Sequence, residues 1–206
     1  MRIACLAWGS LVWDPRTLPL AGPFRLDGPP LPVEFSRVSL DGRVTLVLDR
    51  TAPASPTYCG PLAVADLDEA VEALAERERI VPAERARFVG ALVRGGARQT
   101  ASAGIDASDA SEGSAGRGET DPELVSAIAG WLEPRPLDAV LWTALPSRGP
   151  AGEAMRPGFD RLLAHLETLE GEARMRAEEY VRRAPRPVRT PYRARFEAHL
   201  GWWPRE

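Results

Sequence analysis

One carboxylate falls where an apolar residue is expected. The spacing predicts a helix over Asp66–Glu78, with Leu67, Ala70, Val71 and Leu74 on one face. The next step of four from Leu74 lands on Glu78, near the centre of that stripe. Glu76, Arg77 and Arg79 are expected to point elsewhere. Asp66 followed by Glu69 has the form of a capping box, which fixes the start of the helix. A carboxylate on a core-facing stripe is costly unless it is paired or protonated. Burial pushes such a group toward holding a proton near neutral pH, the property that general acid–base work requires. The plain alternative is a helix that frays before position 78 and leaves Glu76–Arg79 in solvent.

Two further features could bind a substrate. Trp8, Gly9, Ser10 and Leu11 follow the apolar run that begins at Ile3, so a buried strand breaks into a small-residue turn. Glycine lets backbone approach a ligand closely, and successive amides in such a turn can hold a carboxylate or an oxyanion. Any β-turn shares this look. Arg37 lies in the first arm of a hairpin, Pro32–Ser39 and Arg43–Asp49, turning at Asp41-Gly42. Simple alternation puts Arg37 opposite Leu46 and on the face of Val33 and Phe35, with Glu34 and Ser36 outside. An inward arginine could grip a substrate carboxylate; a strand-end arginine reaching solvent is the alternative.

Other nucleophiles and bases read as structural. Ser10 lacks the Gly-x-Ser-x-Gly elbow, and Ser147 after the strand Asp138–Leu145 reads as a turn residue. His165 and His199 lie on or near helix stripes, and Cys5 and Cys59 read as buried free thiols.

Composition narrows the chemistry further. All 26 cationic side chains are Arg; Lys and Asn are absent, and there are two His and two Cys. Lysine chemistry is therefore excluded: no Schiff base, no pyridoxal anchor and no P-loop. Two Cys and two His make a four-ligand zinc site only if all converge, so neither metal nor cofactor is expected. A net charge of -3 and a pI near 5.6 argue against nucleic acid or an anionic membrane as partner. No apolar run approaches a membrane span of ~20 residues. Together with the absence of a charged leader after Met1, this predicts a cytoplasmic protein.

The elements that must position these residues follow. Strands are expected at Ile3–Trp8, in the hairpin, at Tyr58–Val64, Phe88–Val93 and Asp138–Leu145. Helices are expected at Asp66–Glu78, from Asp121 to about Glu133, and over Phe159–Glu170, Glu172–Ala184 and Pro191–Leu200. Gly95–Thr120 is rich in Gly, Ser, Ala and Asp and reads as a flexible insertion. The Arg-rich stretch from Arg174 reads as helices with solvated arginines, and Trp202-Trp203 as an apolar latch. The class is α+β.

The glycine turn and the helix end together resemble a known superfamily. IACLAWGSLVW is similar to the glycine-loop motif of γ-glutamylcyclotransferase-like proteins, which in ChaC-type members reads Phe-Gly-Tyr-Gly-Ser-Leu-Ile-Trp. Ala73–Glu78 is similar to the ChaC-type stretch ending in Arg-Glu. The opening also resembles a bacterial group that begins Trp-Gly-Ser-Leu-Ile-Trp-Asp-Pro and closes with a segment like Val188–Trp202. The resemblance implies a small mixed β-barrel with a packed helix in residues 1–145, and a helical extension in 146–206. It implies Glu78 as catalytic acid/base, the Trp8–Leu11 loop as substrate-binding, a small γ-glutamyl substrate and no cofactor. The implied reaction is cyclisation of a γ-glutamyl amide to 5-oxoproline with release of an amine. Trp8 stands where the common motif has tyrosine, and the family's Gly-Gly-Tyr-type continuation after the glutamate is missing. The alternative is a non-catalytic module on the same fold that binds a carboxylate ligand or a protein.

Overall fold

A computed structural model describes residues 1–95 and 121–204. Its strands are β1 (Ile3–Ala7), β2 (Leu31–Val38), β3 (Val44–Leu48), β4 (Ala54–Ser55), β5 (Tyr58–Pro61), β6 (Val89–Val93) and β7 (Ala139–Thr143). Its helices are α1 (Leu67–Glu78), α2 (Arg85–Phe88), α3 (Pro122–Leu132), α4 (Phe159–Thr168), α5 (Gly171–Arg183) and α6 (Pro191–Leu200). The class is α+β. The insertion expected at Gly95–Thr120 lies, apart from Gly95, outside the described residues. Hydrogen bonding among the described residues makes two sheets, and neither closes into a barrel. No helix among them is long and apolar enough to cross a membrane.

The chain divides into two compact units, interleaved in sequence. The first holds Met1–Ala7, Pro15–Pro29 and Tyr58–Leu145; the second holds Trp8–Asp14, Pro30–Thr57 and Pro146–Glu206.

In the first unit the sheet order is β5-β1-β7-β6, with β1 and β7 parallel and the outer pairs antiparallel. All five residues of β1 are buried, as expected of a central strand covered on both faces. The N-cap half of the expected box is observed: the Asp66 carboxylate accepts from Glu69 N at 3.0 Å. α1 ends at Glu78, because Arg79 adopts a left-handed conformation (φ 58°). Ile80 N then donates to Ala75 O at 2.8 Å and Arg79 N to Glu76 O at 3.0 Å, with Ile80 buried. This is a Schellman stop, made here with arginine where glycine is usual.

In the second unit the sheet order is β3-β2-β4. β2 is buried on both faces: Val33, Glu34, Phe35 and Ser36 are all inside. Phe35 packs edge-on against Tyr180 of α5 and Phe196 of α6, with centroids 6.2 and 5.9 Å away. Phe159 of α4 joins the same cluster through Phe196 at 5.1 Å and Tyr192 at 5.6 Å.

The hairpin corrects the alternation expected from sequence. Phe35 pairs with Leu46, but Arg37 pairs with Thr45, because the register shifts by one residue between them. Ser36 is the extra residue of a β-bulge, and a bulge reverses which side chains share a face. Arg37 is therefore opposite Thr45 rather than Leu46, and off the face of Phe35. Glu34 and Ser36, expected outside, are buried because α6 and the chain after Leu145 cover them. Arg148 N donates to Ser36 O at 3.0 Å, Val38 N to Arg148 O at 2.8 Å, and the two serine hydroxyls Ser36 and Ser147 lie 2.9 Å apart.

Candidate functional site

Within the first unit, topology fixes the height of Glu78. β5 runs antiparallel to β1, from Tyr58 beside Ala7 to Pro61 beside Ala4. α1 therefore starts at the amino end of β1, where the Met1 ammonium donates to Ala65 O at 2.8 Å. Twelve helical residues rise about 18 Å, slightly more than the about 16 Å of a five-residue strand. The return to the sheet confirms the level: β6 begins at Val89, opposite Thr143, the last residue of β7. Glu78 thus stands at the carboxyl end of the parallel pair β1 and β7.

Glu78 is paired there. Arg77 Nη1 donates to Glu78 Oε1 at 2.7 Å, and the side chains are 3% and 17% exposed respectively. This corrects the expectation that Arg77 points away from the stripe. Neighbouring helical positions lie about 100° apart, but the long guanidinium arm spans the step and lies buried at the helix end. Oε2 of Glu78 accepts no hydrogen bond among the described residues.

Cys5 of β1 lies in the same field. Burial pushes its thiol far above the ordinary range, and the charge of Glu78 pushes it the same way. Such a thiol is inert as a nucleophile. Burial likewise holds Cys59 up at about 11. Neither cysteine is in a disulfide. Thr143, on the strand face shared with Leu141 and Cys5, has a buried Oγ1 with no hydrogen-bond partner among the described residues. A hydroxyl left unpaired in a protein interior costs about 1–3 kcal/mol.

Comparison with known proteins adds no assignment. No family model, curated protein or solved structure matches the chain.

The glycine loop belongs to the second unit. Trp8 is buried, and its indole N–H donates to Leu46 O at 3.3 Å, tying the loop to β3. Ser10–Val12 forms one 3-10 turn with Gly9 as its N-cap, closed by Val12 N donating to Gly9 O at 3.0 Å. What approaches Gly9 is Tyr180 of α5: a Cβ at position 9 would stand 2.7 Å from its hydroxyl. Leu46 N donates to that same hydroxyl at 3.3 Å, and the Trp13 ring packs edge-on to the Tyr180 ring at 5.4 Å. Leu46 therefore holds Trp8 with its carbonyl and Tyr180 with its amide. Arg37, also in this unit, donates from Nη1 to Pro146 O at 2.7 Å, fastening the chain after β7 to β2.

Glu34 is the polar residue that alternation hid. Its Oε1 accepts from Phe35 N at 2.8 Å and from the Thr190 hydroxyl; its Oε2 accepts from Tyr192 N at 3.1 Å. Thr190 caps α6, so the carboxylate sits on the amino end of that helix. Burial nevertheless holds Glu34 above the usual carboxylate range, outweighing those three bonds and the nearby Arg156. The only sequence signal was Thr190-Pro191, which marks a helix start that can receive an acid. Both of its oxygens accept internal bonds, so Glu34 reads as a pin rather than a site. Among the described residues no group of three His, Cys, Asp or Glu is placed to hold a metal.

Proposed function

We propose that the chain is a γ-glutamylcyclotransferase-like enzyme. The observation that carries the reading is Glu78: a half-buried carboxylate held through Oε1 by a buried guanidinium, at the carboxyl end of a parallel strand pair. Helical periodicity and the resemblance select the same residue independently. The unpaired Thr143 hydroxyl on the same sheet supports a ligand at this end. The reading brings with it the small mixed barrel of the superfamily; the strand order β5-β1-β7-β6 supports its mixed character, not its closure.

The chemistry needs little from the protein. The substrate's own α-amine attacks its γ-carbonyl; a C–N bond forms to close the five-membered lactam and the γ-amide C–N bond breaks. Glu78 takes the proton lost by the attacking ammonium and returns it to the leaving amine, so the carboxylate is regenerated. The resemblance assigns substrate binding to the Trp8–Leu11 loop, a kind of turn whose backbone amides can take a carboxylate or an oxyanion. No lysine, thiolate or metal is called for.

Incubating the protein with a panel of γ-glutamyl dipeptides and amines and assaying 5-oxoproline tests the reading. Release is expected for at least one member and is expected to fall by about 10²-fold or more in Glu78→Gln. Full activity in that variant would sink the mechanism.

A second reading, a non-catalytic carboxylate-binding module, is favoured by one observation. The space that glycine leaves at position 9 faces the protein's own Tyr180 hydroxyl. This reading expects a γ-glutamyl compound to raise the thermal midpoint without 5-oxoproline appearing.

A further inference from the structure

The pair Arg77–Glu78 is oriented, not merely close. Arg77 is the inner partner, 3% exposed, and Glu78 the outer, 17% exposed. Only Oε1 takes part in the bond, at 2.7 Å. A glutamate at a helix end has three side-chain torsions, and an isolated carboxylate there would sample many of them. A charge-assisted bond from a buried guanidinium selects one, with Oε1 engaged and Oε2 left for another donor. The helix stop supports the same geometry from the backbone side. Arg79 and Ile80 close the last turn on Glu76 O and Ala75 O, so the backbone that carries Glu78 does not fray.

We propose that Arg77 is a positioning residue for the carboxylate of Glu78, clamping Oε1 so that Oε2 is the oxygen that takes the proton from, and returns it to, a γ-glutamyl substrate. The inference rests on the reading of Glu78 as acid/base and adds to it the atom that works and the residue that aims it. A purely structural ion pair makes a different demand. In a structural pair, removing the buried cation alone lowers stability without touching turnover per folded molecule. A positioning role makes turnover sensitive, because an angstrom of misplacement in a catalytic group costs up to about 10²-fold.

The test uses the full chain, with wild type, Arg77→Met and Arg77→Lys assayed on a γ-glutamyl dipeptide such as γ-glutamyl-alanine and on whichever panel members are turned over. Thermal unfolding and circular dichroism give the folded fraction of each variant. In Arg77→Met, kcat per folded molecule is expected to fall about 10–100-fold with KM within about twofold of wild type. Arg77→Lys, which keeps a cation for Oε1, is expected to recover most of that loss. Unchanged kcat in Arg77→Met overturns the inference and leaves the enzyme reading intact. So does a loss that follows only the folded fraction, or a lysine variant as impaired as methionine. A wild type that turns over no panel member removes the enzyme reading and this inference with it.

Discussion

Gly9 illustrates how a single residue type can be legible while its cause is not. A glycine after a strand suggests room for a ligand, yet the atom at its Cβ position is the Tyr180 hydroxyl, at 2.7 Å. Gly9→Ala is therefore expected to cost about 1–3 kcal/mol through overpacking. Tyr180→Phe removes the hydroxyl and with it the clash, at the expense of the bond from Leu46 N. In the double variant the two costs should fail to add, with a favourable coupling of about 1 kcal/mol. Urea unfolding of the four proteins measures this. Strict additivity would show that the glycine is required for some reason other than Tyr180. If loop amides hold a substrate, Gly9→Ala should also depress 5-oxoproline release in the Tyr180→Phe background.

At the scale of elements, periodicity matches the structure where one period governs a whole segment. α1 begins at the expected cap and ends on Glu78, the last position of the expected helix. The three C-terminal helices, each bounded by proline or glycine, fall within a residue or two of expectation. Prediction broke down where one inserted residue changed the phase: the bulge at Ser36 moved Arg37 to Thr45 and left no trace in local composition. Glu34 was misplaced because alternation assumes one open face, whereas β2 is covered on both. Arg77 was missed because stripe arithmetic assigns directions to Cβ atoms, and a guanidinium about five bonds away is not bound by them. The helix stop offers its own test. A left-handed arginine costs about 1–2 kcal/mol that glycine avoids, so Arg79→Gly is expected to raise stability by about 1 kcal/mol. Retained turnover would show that Arg79 serves the stop and not the chemistry; an unchanged or lowered thermal midpoint would contradict the assigned cap.

At the scale of the molecule, the second unit links segments far apart in sequence through a buried polar chain whose members respond to acid in opposite senses. Asp49 accepts from the Thr51 hydroxyl at 2.7 Å and from Arg156 Nε at 2.5 Å; Arg156 Nη1 reaches the Tyr192 hydroxyl at 2.8 Å, and Tyr192 N reaches Glu34. Burial alone would raise Asp49, but the bonds from Thr51 and Arg156 outweigh it and hold the carboxyl below its ordinary value. Its contribution to stability is therefore present above the unfolded value of about 3.9, and is lost as pH falls through the lower folded value. Glu34 is held above its ordinary value, burial being the main cause. Its contribution has the other sign: fully present below the unfolded value of about 4.3, and lost as pH rises through the higher folded value. The two windows therefore adjoin around pH 4 without cancelling, Glu34 acting above it and Asp49 below. Unfolding free energies of wild type, Asp49→Asn and Glu34→Gln across a pH series separate them. The wild-type advantage over Asp49→Asn should shrink as the medium is taken below about pH 4, whereas its standing against Glu34→Gln should improve as pH is lowered from 7 toward 4. Parallel curves for either pair would mean that the carboxyl in question titrates alike in the folded and unfolded chain. Opposite slopes would establish that the C-terminal helices are joined to the β2–β3 hairpin by two buried acids, one kept charged by an arginine and a threonine, the other driven by burial toward its protonated form.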